Sequence, residues 1–206
     1  TTYKYAVRAY KTIDKYNHVG PYSSILTTTT YPAKVKGVTT TNRTISSMKL
    51  KWSKVSNCEG YKIYKYNETD KSYTYLKTIP KNTNNSYEIK NLTSGTTYKY
   101  AVRAYKKIGK YTYNGQYSTV LTTTTSPSKV KGVTTGKRTS TSITLTWNKV
   151  SRAEGYRIYR YNSQNKKYDL LDEVEGNKET TYTDKKLVSG KNYSYKVKAY
   201  KKIKNN

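Results

Sequence analysis

Residues 92–104 read LTSGTTYKYAVRA, and the run TTYKYAVRAYK at 96–106 stands again, letter for letter, at 1–11. From Thr97 the side chains alternate: Tyr98, Tyr100, Val102 and Ala104 share one face, while Thr97, Lys99, Ala101, Arg103 and Tyr105 share the other. A period of two with one polar face is the pattern of a half-buried antiparallel strand. Its exact recurrence makes the chain a repeat protein before any other feature is read.

Working outward, YSSILTTTTYP at 22–32 answers YSTVLTTTTSP at 117–127, and KVKGVTT stands at 34–40 and again at 129–135. EGYKIYKYN at 59–67 answers EGYRIYRYN at 154–162, Trp52 answers Trp147, and SGTTYKY at 94–100 answers SGKNYSY at 189–195. Every offset is 95 residues, with no insertion or deletion. That is the size of one β-sandwich domain. Met48, Leu50 and Trp52 alternate with Lys49, Lys51 and Ser53. Further runs rich in Tyr, Thr, Val and Ile lie at 35–40, 61–66, 73–79, 86–90 and 117–125. Turn signals separate several of them: NNS at 84–86, SG at 94–95 and NG at 114–115. No segment has helical period. The fold class is therefore all-β, a tandem of seven-stranded antiparallel β-sandwiches.

The stretch LTSGTTYKYAVRA resembles the hallmark of fibronectin type III domains, which share an immunoglobulin-like fold. A tryptophan on the second strand (Trp52, Trp147) and GYKIY or GYRIY on the third complete the likeness. In that family a tyrosine forms a corner, its hydroxyl bonding back to nearby backbone. The resemblance implies Tyr98 with Leu92, repeated as Tyr193 with Leu187. More narrowly, the chain is similar to repeats of cell-surface and secreted proteins of low-GC Gram-positive bacteria. Richness in Lys, Asn, Tyr and Ile fits such a genome; the lack of Phe is not explained by it.

Family topology implies strand A near 35–40, B at 46–55, C at 60–67, C′ at 73–79, E at 85–91, F at 96–106 and G at 117–125. Residues 1–31 are then an F–G hairpin, 32–126 a complete domain, and 127–206 a domain lacking its last strand. The chain opens in mid-repeat, so the natural N-terminus is expected further upstream. Two readings account for the overlapping ends: strand donation between copies in a fibre, or a slice of a longer array. The second is the simpler.

Hydrophobic residues make up only 33% of the chain, but 26 tyrosines and no phenylalanine mean that Tyr supplies much of the core. The net charge is +28, spread along the whole length. Polyanions attract such a chain, and anionic polysaccharide or teichoic acid are the expected classes. No groove-reading helix is predicted and no single element gathers the basic residues, which argues against sequence-specific nucleic-acid binding. A single cysteine, Cys58, allows no internal disulfide, and its counterpart is Ala153. No apolar run approaches membrane-spanning length.

The residues offer no catalytic constellation and no cofactor site. His18 is alone in a loop, and Tyr113 stands at its phase in the next unit. Of 12 acidic residues only Glu59 recurs in phase, as Glu154, just before the Gly-Tyr of strand C; a turn role suits it better than glycosidase chemistry, which needs two facing carboxylates. Asp169, Asp172, Glu173 and Glu175 read as a solvated acidic edge in preference to a Ca²⁺ site. No zinc spacing, nucleophile elbow or phosphate loop is present. The best candidate surface is the outward face of strands C and F. There Lys62, Tyr64, Tyr66, Arg103 and Tyr105 recur as Arg157, Tyr159, Tyr161, Lys198 and Tyr200. Aromatics between cations stack on sugars or bases, but Tyr, Lys and Thr are also good strand residues in their own right. The linker TTTTSPS at 122–128 is short and β-branched, which predicts limited bending. The expected function is a non-catalytic extracellular or cell-surface spacer, fibre-forming or adhesive, whose partners are other copies or neighbouring repeats. The alternative is a polyanion- or glycan-binding module acting through the Tyr/Lys face.

Overall fold

A computed structural model describes residues 2–202; Thr1 and residues 203–206, the end of the third unit, lie outside them. The described residues form 18 β-strands and no helix, so none is long and apolar enough to cross a membrane. They group into two compact units. One holds the N-terminal hairpins with 51–86 and 100–120; the other holds 39–50, 87–99 and the chain from 121 onward.

In the first unit, β1 (Thr2–Tyr5) pairs with β4 (Leu26–Thr29), and β2 (Tyr10–Ile13) with β3 (Tyr16–Val19). Asp14 and Lys15 link β2 to β3 with φ of 50° and 71°, the two positive values a type I′ hairpin turn requires. The rest of this unit is built on β7 (Gly60–Tyr66), β8 (Tyr73–Pro80), the 12-residue β10 (Thr97–Ile108) and β11 (Tyr111–Asn114), in the sheet order β11-β10-β7-β8. Alternation along β7 and β10 buries Tyr61, Ile63, Tyr100, Val102 and Ala104 to 1% exposure or less. Trp52 meets Tyr61 edge-on at 5.2 Å. The Tyr61 hydroxyl accepts from the Val55 amide (2.9 Å) and donates to the Asn82 carbonyl (3.1 Å), so a phenol serves in the core where phenylalanine is absent. The same residue types meet a different fate in the N-terminal hairpins. There Tyr5 is 54% and Val7 71% exposed, against 1% and 0% for their counterparts Tyr100 and Val102.

The second unit contains β5 (Thr39–Arg43), β6 (Met48–Lys51) and β9 (Ser86–Ile89) in the order β5-β6-β9, with β12 (Leu121–Thr124) along β10. The C-terminal domain follows. One of its sheets is β13-β14-β17, made of Thr134–Arg138, Ser142–Thr146 and Thr181–Lys185. The other is β16-β15-β18, made of Lys167–Glu175, Gly155–Asn162 and Tyr195–Tyr200. Leu145, Trp147, Tyr156, Ile158 and Val197 form its core. Tyr156 repeats the bonds of Tyr61, accepting from Val150 N and donating to Asn177 O.

A polar tie joins the two sheets of this domain. Asp184 of β17 is 3% exposed. It accepts from Arg160 Nη1 of β15 at 3.0 Å and from the Tyr195 hydroxyl of β18 at 2.8 Å. Burial, and then the bond to Asp184, hold the Tyr195 hydroxyl far above the ordinary phenol range.

Several strands are shorter than the sequence predicts. Strand A begins at Thr39 instead of 35; Val35 is buried beside the ladder, and Lys36 lends only its carbonyl, to Ser53 N. Strand B ends at Lys51. Strand G is confined to Leu121–Thr124 because Ser118 competes for the ladder: its Oγ accepts from Val102 N while its own amide donates to Val102 O. Strand β11 is additional, formed by the return of the F–G loop.

Candidate ligand-contact face

Register sets the outward face of the β8-β7-β10 sheet. Arg103 lies opposite Lys62, Ala101 opposite Tyr64, and Tyr105 opposite Gly60. The predicted residues Lys62, Tyr64, Tyr66, Arg103 and Tyr105 therefore do share one face. Their exposure differs from expectation: Tyr64 is 9% and Tyr105 6% exposed, so neither ring is free to stack on a ligand. Tyr64 is walled in by Tyr117 (5.0 Å, edge-on) and Tyr75 (5.9 Å). Tyr117 is itself stacked flat on Tyr73 at 3.8 Å and capped by the Arg103 guanidinium at 4.4 Å. Arg103 Nε donates to Gly115 O, which fixes the cap. Tyr66 tilts against Tyr73 at 5.0 Å. Tyr105 lies across Gly60, with Lys62 over its ring at 5.6 Å. An aromatic ring covering a cross-strand glycine repairs the gap that glycine leaves in a sheet. That accounts for a tyrosine in phase at 105 and 200.

In the C-terminal domain the corresponding residues are Arg157, Tyr159 and Tyr161 on β15 with Lys198 and Tyr200 on β18. Tyr200 lies over Gly155 and is 9% exposed, again covered, here by Arg157 at 5.3 Å. Arg157 Nε bonds Glu173 at 2.7 Å, which raises the guanidinium pKa and lowers that of the carboxyl. The rest of this face is more open. Leu170 pairs with Tyr159 where Tyr75 pairs with Tyr64. Tyr161 is 41% exposed. Lys198 lies over Tyr159 at 5.4 Å and Lys196 over Tyr168 at 3.8 Å.

The remaining candidates have local partners. Asp169 accepts from Asn162 and Asn165, and Glu175 pairs with Lys202. Asp169, Asp172, Glu173 and Glu175 lie along β16, and among the described residues no group of His, Cys, Asp or Glu could hold a metal ion. Glu59 and Glu154 do one job twice: each accepts a backbone amide at the end of strand F, from Lys107 near the end of β10 and from Lys202 just past β18. His18 pairs with Lys11 across the β2–β3 hairpin. Cys58 is buried, which pushes its thiol pKa up.

A family model for the fibronectin type III domain matches residues 33–123 and 127–206. The chain belongs to the fibronectin type III family. Among curated relatives, Exoglucanase B of Cellulomonas fimi is 28% identical over 97% of this chain and 18% of its own length. Poly(3-hydroxybutyrate) depolymerase of Ralstonia pickettii is 38% identical over 33% of this chain and 12% of its own length. The chain thus spans less than a fifth of either relative. Among solved structures, a two-domain fibronectin type III segment of chicken tenascin is 21% identical, with 82% of this chain and 91% of that chain covered at a TM-score of 0.48. The three fibronectin domains FN1–FN3 of chicken CNTN1 are 18% identical, with 96% and 70% covered at a TM-score of 0.43.

Within each fibronectin type III domain the hydroxyl of the corner tyrosine accepts a backbone amide five residues upstream: Thr93 N to Tyr98 at 2.8 Å, and Val188 N to Tyr193 at 2.9 Å. Leu187 is buried and Leu92 half-buried. The sequence reading missed Tyr73, Tyr75 and Tyr117, which complete the cluster. For Tyr117 the signal was present in the repeat, where Arg8 and Tyr22 stand one period before Arg103 and Tyr117; in the structure Arg8 lies over Tyr22 at 4.8 Å, the same pairing.

The loop between strands E and F also reaches the next fibronectin type III domain. Gly95 N donates to Ser126 O (3.1 Å), and Ser94 Oγ meets Ser128 Oγ (2.8 Å) in the linker. A Cβ on Gly95 would lie 3.0 Å from Arg152 Cβ and 3.2 Å from its carbonyl oxygen, and Gly95 has φ +60°. Its counterpart Gly190 has φ +74° with nothing within 4 Å.

Burial raises the hydroxyl pKa of Tyr61, Tyr64, Tyr73, Tyr105, Tyr182, Tyr195 and Tyr200. A phenol raised above its unfolded value of about 10 favours the folded state while neutral. That stabilisation is complete below about pH 10 and is lost as pH climbs through the raised values. The melting temperature is therefore expected to fall above about pH 10. In a phenolate absorbance titration these rings should ionise together with unfolding. A single smooth titration of all tyrosines at the ordinary value would contradict it.

Proposed function

We propose that this chain is a non-catalytic, extracellular spacer array from a bacterial surface or secreted protein. The observation that supports this best is the junction: the loop at 94–95 is hydrogen-bonded to the linker and in contact with Arg152, so successive domains are coupled. The relatives are enzymes by name, and this chain covers only a small share of each. Carboxylates such as Glu59, Asp70, Glu173 and Asp184 are engaged in turns and ion pairs, which supports an accessory role. The Lys-, Asn- and Tyr-rich composition supports a low-GC Gram-positive source.

Gly95→Ala and Gly190→Ala test this reading together. Both impose a positive φ on alanine, at a cost of about 1 kcal/mol. Only Gly95→Ala also presses a methyl against the next domain, and so it should cost roughly 1 kcal/mol more. It should also separate the rotational tumbling times of the two domains in backbone NMR relaxation. Equal effects from the two variants, with separate tumbling already in the parent, would leave the domains uncoupled and the spacer reading without support.

A second reading, polyanion or glycan binding, is favoured by the open face of the C-terminal domain, where Tyr161 stands beside Tyr168 and Lys196. It predicts salt-sensitive retention on an immobilised teichoic acid. Tyr161→Ala would weaken retention more than Lys49→Ala on a different sheet. Equal losses would reduce the effect to net charge.

A further inference from the structure

The junction before residue 33 shares its phase with the junction before residue 128. The linker residues Ser126 and Ser128 correspond to Tyr31 and Ala33, and Arg152 corresponds to Asn57. Around Tyr31 and Asn57 the structure holds an open cleft of about 470 Å³, lined also by Ala33, Ser53, Lys54 and Ser56. At the second junction the same place receives the Ser94-Gly95 turn. The two seats have matching backbones. Asn57 and Arg152 both adopt left-handed conformations, with φ of 57° and 61°, and so do Gly37 and Gly132, at 63° and 62°. Gly95 meets its seat through backbone, its amide donating to the Ser126 carbonyl, and lies beside Arg152, whose Cβ and carbonyl oxygen would be 3.0 and 3.2 Å from an added Cβ. A matching backbone therefore preserves the contact despite the change of side chains. One bond is lost, because Ala33 has no hydroxyl to answer the loop serine.

We infer that the cleft at Tyr31 and Asn57 is a seat for the Ser-Gly turn of a fibronectin type III repeat placed immediately before it in the same array. The turn's glycine, at positive φ, donates its amide to the Tyr31 carbonyl and lies against the 54–57 loop. Gly190 is the equivalent turn of the C-terminal domain, where an added Cβ would meet nothing within 4 Å among the described residues. This rests on the spacer reading and extends it: every junction is built from one turn and one seat, and successive junctions stand 95 residues apart.

The test extends the full chain at its N-terminus with a copy of residues 32–95, which continues the repeat phase into Thr1. The added glycine's amide should then exchange with solvent at least ten-fold more slowly than an unstructured glycine. The amides of Lys54–Asn57 should shift relative to the unextended chain. Ala33→Ser should slow the exchange further by restoring the serine pair. Coil-rate exchange at the added glycine with unmoved 54–57 amides, while Gly95 stays protected in the same sample, would overturn the seat and leave the spacer reading standing. Rapid exchange at Gly95 as well would remove both. Concentration-dependent shifts of the 54–57 amides in the unextended chain would identify a second copy as the occupant, against this assignment.

Discussion

Arg160→Ala should destabilise the C-terminal domain by about 3 kcal/mol, the lower end for a broken buried ion pair. The lower end applies because Arg160 keeps 36% of its side chain exposed while that of Asp184 keeps only 4%. Removing the arginine leaves a carboxylate between two sheets with one phenol as its remaining partner. The preceding repeat shows what restores the balance, since the equivalent positions there hold Ile89, which is buried, and Lys65, which is exposed. Adding Asp184→Ile to Arg160→Ala should recover most of the loss, because an apolar side chain replaces a buried pair at little net cost. Native-state hydrogen exchange at β15 and β18 amides reads this out. An Arg160→Ala domain as stable as the parent would mean that the ion pair contributes nothing, and the rescue would have nothing to restore.

Gly60→Ala is expected to cost about as much, near 3 kcal/mol, by a different route. A Cβ there would collide with the Ile79 carbonyl oxygen and lie 3.1 Å from the Tyr105 ring. The first contact is backbone on the neighbouring strand, so β8 must move and the pairs around Gly60 are lost. Thermal unfolding should fall by at least 10 °C, at roughly 4–8 °C per kcal/mol for a domain of this size. Gly136→Ala is the control: its Cβ would meet nothing closer than 3.8 Å. Equal melting temperatures for Gly60→Ala and the parent would show that β8 is free to shift and that the ring over Gly60 is not a fixed cover.

Period-two alternation made the strand faces legible because burial follows parity: Tyr61, Ile63, Val102 and Ala104 lie inward as read. What parity did not reveal is how deep an outward residue sits. Tyr64 and Tyr105 point away from the core and are still buried, because Tyr117 arrives from the F–G loop beneath the Arg103 guanidinium of strand F and because Gly60 lets a ring lie down. Those contacts join residues far apart in sequence. Strand ends were misjudged for a local reason, since Ser118 trades a backbone ladder bond for a side-chain one. The buried carboxylate was missed although the acidic edge of β16 was noticed. Its clue was the paired change from Ile89 and Lys65 to Asp184 and Arg160, which an inspection of each repeat alone does not reveal.

The constant phase of the seats bears on how such a protein changes length. The KVKGVTT blocks at 34–40 and 129–135 lie just past the two linkers. Recombination between the DNA segments that encode them would insert or delete one whole period. Each product would keep every Ser-Gly turn at its present distance ahead of its seat, Gly95 to Ser126 and Arg152, and no strand would lose its ladder partner. The length of the array thus becomes a quantity that a lineage adjusts in whole-domain steps, by copy number alone, without redesigning a single contact.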